Sequence, residues 1–238
     1  MNKREFITLL ATVAVWPIAT SAQQAGPVRH IGVLLVGLRP DGREAKQFRL
    51  GLRDLGYSEG RDVVIEWRSA NGDYDRLPNL VADLVQRKVD LIVQDSTVGT
   101  EVTKRATSTI PIVMALVLDP VGSGLVRSLA SPGGNITGLS MMATELYPKR
   151  LQLLKDVNPQ LTRVAVLWNS DHPFHVKAVE SLKKIAPSLS IELSSVAVRN
   201  PEQFGPAITS AIQEKVQALY VVEDPIFLLI KGRGRFTC

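Results

Sequence analysis

The feature that most narrows the fold is an alternation. Short runs that are apolar at nearly every position are separated by longer segments with apolar residues every third or fourth place. The runs fall at 31–36, 63–67, 91–93, 112–115, 164–167, 191–196 and 218–222. A strand that is apolar on both sides of its pleat needs cover on both faces, and parallel strands flanked by helix layers supply it. The segments between the runs carry helical stripes. One is Ala45, Phe48, Leu52 and Leu55; the next is Leu77, Leu80, Val81, Leu84 and Val85, with Pro78 in the first turn, where its missing N–H costs little. Further helices are predicted at about 98–106, 121–129, 143–157, 176–185 and 202–215. The chain is therefore read as α/β. Ser131-Pro132-Gly133-Gly134 is a strong turn signal, and the βα pattern restarts after it. That restart predicts two doubly wound parallel-sheet lobes, 28–138 and 139–227, the second of them incomplete. One continuous Rossmann-like sheet is the alternative that the pattern leaves open.

With 238 residues, 45% of them hydrophobic and 21% charged, the chain can bury such cores. The net charge of +5 is not gathered into a Lys/Arg block, so no nucleic-acid partner is expected. The one cysteine, Cys238, can form neither an internal disulfide nor a cysteine-based metal site. Residues 1–22 read as a cleaved export signal. Lys3 and Arg4 are a basic start, 7–19 is an apolar stretch too short to span a membrane, and Thr20-Ser21-Ala22 places small residues before a cut. A mature chain from Gln23 and a periplasmic location are expected. Residues 2–7 (NKREFI) resemble a twin-arginine signal with Lys for the first Arg, which leaves the export route open between the folded-protein and general pathways.

In doubly wound sheets, ligands bind beyond the C-terminal ends of the strands. The loops there, 38–41, 95–97, 119–121, 169–172 and 224–225, are rich in hydroxyls, carboxylates and amides. The candidate ligand-binding residues are Ser96, Thr97, Asp119, Asn169 and Asp224. Ser96 and Thr97 precede a helix whose free N–H groups favour a ligand carboxylate. Each of the five is equally readable as a helix cap; the set persuades because it lines one edge of each lobe.

Signatures of catalysis do not appear. No G-x-G-x-x-G follows the first run, and neither a P-loop nor G-x-S-x-G occurs. His172 and His175 flank Pro173-Phe174, half a metal site at most, and no nucleophile is fixed beside Asp171 and His172; a solvated loop is expected there. No catalytic residue, metal or cofactor is expected. The text at 131–135 is read as an inter-lobe turn in preference to an anion cradle.

Several long stretches resemble one family: 51–60 (GLRDLGYSEG), 74–78 (YDRLP), 110–113 (IPIV), 119–126 (DPVGSGLV), 131–139 (SPGGNITGL) and 163–169 (RVAVLWN), with the leader text at 4–10 (REFITLL). The chain resembles the ABC-transporter substrate-binding proteins that include tryptophan-binding members, from residue 1 to about 227. The resemblance implies the type I periplasmic binding fold: two lobes that close by hinge motion on a small molecule, amino acids being the class it suggests, for membrane permease subunits to recognise. It also implies a monomer and no enzymatic activity. The family more often shows a Gly-Gly-Thr-Pro-like text where this chain has Asp95-Ser96-Thr97-Val98, which bears on ligand identity. Similar proteins continue past the Asp224-Pro225 turn into further βα units, whereas residues 228–238 read as an aberrant tail from a changed frame or truncated gene. The expectation is a second lobe with an exposed apolar edge and weakened or absent binding, as in a remnant of a binding protein. An exported ligand-sensing module and an exported α/β enzyme are the readings kept beside the binding protein.

Overall fold

The computed structural model describes residues 27–228. The expected export signal, and the expected tail from 229 onward, lie outside the described residues.

Among the described residues eight strands form two separate parallel sheets. β1 (Arg29–Leu35), β2 (Val63–Ser69), β3 (Leu91–Gln94), β4 (Ile112–Val117) and β5 (Ile136–Ser140) lie in the order β2-β1-β3-β4-β5. β6 (Arg163–Asn169), β7 (Glu192–Val198) and β8 (Ala218–Val221) lie in the order β7-β6-β8. The first sheet carries α1 (Arg43–Asp54), α2 (Leu77–Gln86) and α3 (Thr97–Ala106); the second carries α4 (Ala143–Val157), α5 (His175–Ile185), α6 (Phe204–Gln213) and the short α7 (Pro225–Leu228). Among the described residues no helix is long and apolar enough to cross a membrane.

The two-sided apolar strands do what their composition requires. Alternate residues of β1 face opposite helix layers. Ile31, Val33 and Leu35 pack with Val63, Ile65, Phe48 and Leu52 on the α1 side. Leu34 and Val36 pack with Leu77, Val81, Leu84 and Ile92 on the α2–α3 side. In the second sheet Val164 and Val166 pack against Tyr147, Leu151, Val179 and Leu182 of α4 and α5, while Leu167 and Val198 meet Phe204 and Ile226 on the other face. Each fully buried Leu or Ile contributes on the order of 2 kcal/mol relative to exposure, so both faces of each sheet hold the strands in register.

Two expectations are corrected. Residues 121–129 form turns, not a helix: the N–H groups of Leu125 and Val126 both bond the Pro120 carbonyl, and Gly122-Ser123-Gly124, with Gly124 at φ +70°, interrupts any helical run. The text at 131–135 is not an inter-lobe turn, because β5 follows it and pairs with β4 in the first sheet. β5 carries no two-sided apolar signal; only Ile136 is buried. Its middle residue, Gly138, has φ +134°, and a Cβ there would lie 2.1 Å from the Met114 carbonyl oxygen. Glycine is what lets β5 approach β4 at the irregularity between Met114 and Val117. The crossing to the second sheet comes after β5, through Met142 in the left-handed region (φ 48°) at the start of α4.

Candidate ligand-binding site

In each sheet the chain reverses its winding between two neighbouring strands, and there the strand ends open a crevice. In the first sheet the strands are β1 and β3, and Asp95 follows β3 directly. Its buried carboxylate accepts the N–H of Val36 at 2.8 and 3.0 Å, and the backbone N–H groups of Gly37 and Leu38 face it nearby. Burial pushes its pKa up to about 7 against the pull of those N–H donors. Ser96 caps α3, its Oγ accepting the Gly99 N–H at 2.9 Å. Thr97 Oγ1 accepts the Leu118 N–H at 3.1 Å, tying α3 to the end of β4. Both hydroxyls keep a hydrogen to donate. Asp119 is half-buried and accepts the Gly122 N–H at 2.7 Å, closing the turn after β4.

In the second sheet the reversal falls between β6 and β8, and Asp224 occupies the place that Asp95 holds in the first. It accepts the side-chain amide of Asn169 at 3.1 Å and the Ile226 N–H at 2.9 Å. Burial raises its pKa to about 6 against those donors. The two crevices meet. The hydroxyl of Tyr74, from the first lobe, donates to Asp224 with both oxygens at 3.1 Å. Burial, and next the Asp224 charge, push the Tyr74 phenol well above its ordinary pKa, so it stays a donor. The Gly37 backbone lies against Pro225 so closely that a Cβ on Gly37 would sit 1.8 Å from the Pro225 carbonyl oxygen.

His172 and His175 do not form a solvated loop. They are 1% and 0% exposed, stacked with ring centroids 4.0 Å apart and planes within 5°. The edge of His172 also meets Phe174, and Tyr74 across the seam at 6.3 Å. The turn that buries them is closed by His172 N–H to Asn169 O and His175 N–H to His172 O. Burial holds both rings neutral, His175 down to about 4 and His172 well below its ordinary value. One nitrogen or oxygen each from His172, His175 and Asp224 lies within 4.8 Å of the others, but the hydrogen bonds do not suit a metal. His175 Nδ1 accepts the Asn169 N–H at 3.3 Å, so Nε2 carries the proton, 3.0 Å from the Glu223 carbonyl. That ring has no lone pair left for a cation.

Of the five residues read from sequence, Ser96 and Thr97 share the first crevice, Asn169 and Asp224 are bonded in the second, and Asp119 stands at the end of β4. Sequence reasoning missed Gly37 and Tyr74 at the seam; Asp95 and His172 fell in loops it singled out but were not named as contacts. Tyr74 lies in the stretch YDRLP, in the connection from β2 to α2, which was not among the loops singled out from sequence. Tyr74→Phe is expected to lower stability by about 1 kcal/mol, the net value of one such hydrogen bond, in urea denaturation. Asp224 also sets a pH dependence. Its pKa is raised on folding, so the ionised form weakens the fold as pH rises from about 4 to about 6. Asp224→Asn cannot ionise; its stability relative to wild type is expected to rise by on the order of 2 kcal/mol between pH 4.5 and 7.5, measured by denaturation at both pH values.

Residues 37–228 match the family described as ABC transporter substrate binding protein. The chain belongs to that family. A tyrosine-binding protein of Clostridioides difficile (strain R20291) is 31% identical over 201 residues, 84% of this chain and 57% of that protein. The chain thus spans little more than half the length of this curated relative. The structure of an ABC domain in complex with L-Trp from Streptococcus pneumonia is 26% identical, with TM-score 0.70, covering 84% of this chain and 67% of that one. The ligand-free, open structure of a substrate binding protein with adhesive properties from Clostridium difficile is 25% identical over 86% of this chain and 70% of that one, with TM-score 0.53. At similar identity and coverage the chain superimposes better on the L-Trp complex than on that open structure. The type I periplasmic binding fold that the resemblance implied is the fold of these neighbours.

Proposed function

We propose that this chain is the solute-binding component of an ABC importer, acting in the periplasm and presenting an amino acid, an aromatic one in particular, to permease subunits in the inner membrane. The observation that carries the reading is the meeting of the two crevices: the strand-end groups of both lobes converge on one seam at Tyr74 and Asp224. A small molecule held there touches both lobes and favours their closed arrangement by its differential affinity. Ser96, Thr97, Asp119, Asn169 and Asp224 are the proposed contacts, with the start of α3 suited to a carboxylate. The relatives that bind tyrosine and L-Trp support an aromatic amino acid. The protein works as a monomer, without nucleic acid or cofactor. A thermal melt of the chain from Gln23 with each of the twenty amino acids tests this. A ligand at a hundredfold excess over Kd stabilises the native state by about 2.7 kcal/mol, so tyrosine or tryptophan should raise Tm by several degrees. A flat panel would sink the amino-acid reading.

A further inference from the structure

Both contacts across the seam lead back to one buried carboxylate. Val36 gives its N–H to Asp95 at 2.8 and 3.0 Å. The Val36 carbonyl accepts the Gly72 N–H at 2.7 Å, which ties down the turn that carries Tyr74. The next residue, Gly37, lies against Pro225. Tyr74 reaches Asp224, and the Asp95 charge adds to the rise in the Tyr74 pKa. The groups of the first lobe that surround Asp95 are therefore the ones that touch the second. Asp95 itself is 5% exposed, and only backbone N–H groups favour its charge. Parting the lobes would lift Pro225 from Gly37 and Asp224 from Tyr74, and water would reach the carboxylate.

The titratable groups that face Asp95 are Tyr74 and, beyond it, Asp224 and His172 of the second lobe. None brings a positive charge, since burial holds His172 neutral. β3 and β4 carry no ionisable side chain, and Asp119 after β4 closes its own turn. Charges on the other packed elements are engaged elsewhere. Arg29 at the start of β1 pairs with Asp90, Arg39 with Asp41, Asp83 with Arg87 on α2, and Glu101 with Arg105 on α3. Lys104 bonds the Gly124 and Leu125 carbonyls. Asp73, Asp75 and Arg76, beside Tyr74, are exposed.

We propose that Asp95 is a proton latch on the seam: closing the lobes removes water from its carboxyl and takes up one proton from solvent, and opening them releases it. Burial without a cation disfavours the charged form, and protonation removes that penalty. The neutral acid keeps an oxygen for the Val36 N–H. Asp95 titrates at about 7 when enclosed and near the ordinary carboxylate value when wet, so between those values the closed form holds the extra proton. Closure, and with it ligand retention, is favoured as pH falls. This rests on the two-lobed hinge of the proposed function and adds its regulation.

The test is the distance between spin labels on the full chain in a Cys238→Ser background. The labels sit at Arg43→Cys and Val176→Cys, both exposed, in the first turns of α1 and α5. With no ligand added, the closed-to-open ratio should rise about thirtyfold through Asp95 from pH 8.5 to pH 5.5, and about a further fourfold through Asp224. Asp95→Asn, uncharged at every pH, should keep only the change of about fourfold. A carboxyl ¹³C titration of wild type, which needs no variant to fold, should place the Asp95 midpoint at about 7. A label distance that answers to L-tryptophan but not to pH, an Asp95→Asn response equal to that of wild type, or an Asp95 midpoint at the ordinary carboxylate value would overturn the latch alone. A distance that answers to neither pH nor L-tryptophan would remove the hinge, and the proposed function with it.

Discussion

Replacing Gly37 by Val should lower ligand affinity about a hundredfold while leaving each sheet intact. Gly37 follows β1 and faces Pro225 at the start of α7. A Cβ there would lie 1.8 Å from the Pro225 carbonyl oxygen, 2.3 Å from its carbon and 2.8 Å from its Cα. These are backbone atoms, held by the Ile226 and Phe227 N–H bonds to Asp224, and cannot swing aside as a side-chain tip would. The strain falls on the contact between the lobes. Overpacking of this kind costs about 3 kcal/mol, and if ligand binds only the closed arrangement, that converts to about a hundredfold in Kd. Urea denaturation should find only about 1 kcal/mol lost with the seam hydrogen bond of Tyr74, and titration calorimetry should find the affinity lost. An unchanged affinity would mean that ligand does not need the seam closed.

Asp95→Ala acts on stability instead. It strips the acceptor from the Val36 N–H at the buried end of β1. One orphaned buried donor costs about 1–3 kcal/mol, and a loss in that range is expected. Asp95→Asn keeps one acceptor oxygen but turns an NH₂ toward the same donor, so it should lose somewhat less. The midpoint of urea unfolding at pH 7 measures both. Wild-type stability in Asp95→Ala would show that the carboxylate does not hold the β1 loop.

Much of the fold was legible because its cause is two-sided burial. β1, β3 and β6 are apolar runs since both their faces are covered, and α2 shows its stripe since one face is. The features that sequence left hidden have other causes. β5 lies at a sheet edge with one buried residue, so no pattern marks it, and its telling residue, Gly138, reports a close approach that only coordinates reveal. The turns at 121–129 hold apolar residues at helical spacing, yet Gly122 and Gly124 outweigh them. In the candidate site, the strand-end positions of Ser96 and Asn169 were readable because strand ends at a winding reversal are places for polar groups. Tyr74 was not, because it comes from a 3₁₀ turn and meets Asp224 150 positions later. His172 and His175 read as solvated since two histidines beside a proline carry no burial signal; the Phe174 between them was the one hint.

The central claim, that ligand is held where the two crevices meet, is tested most directly by hydrogen–deuterium exchange of the chain with and without L-tyrosine or L-tryptophan. The account predicts added protection at 36–38, 95–99, 117–119, 169–175 and 222–227, the strand ends and seam, with the opposite ends of the strands unchanged. Protection confined to the outer helices or to the N-terminal ends of the strands would contradict it.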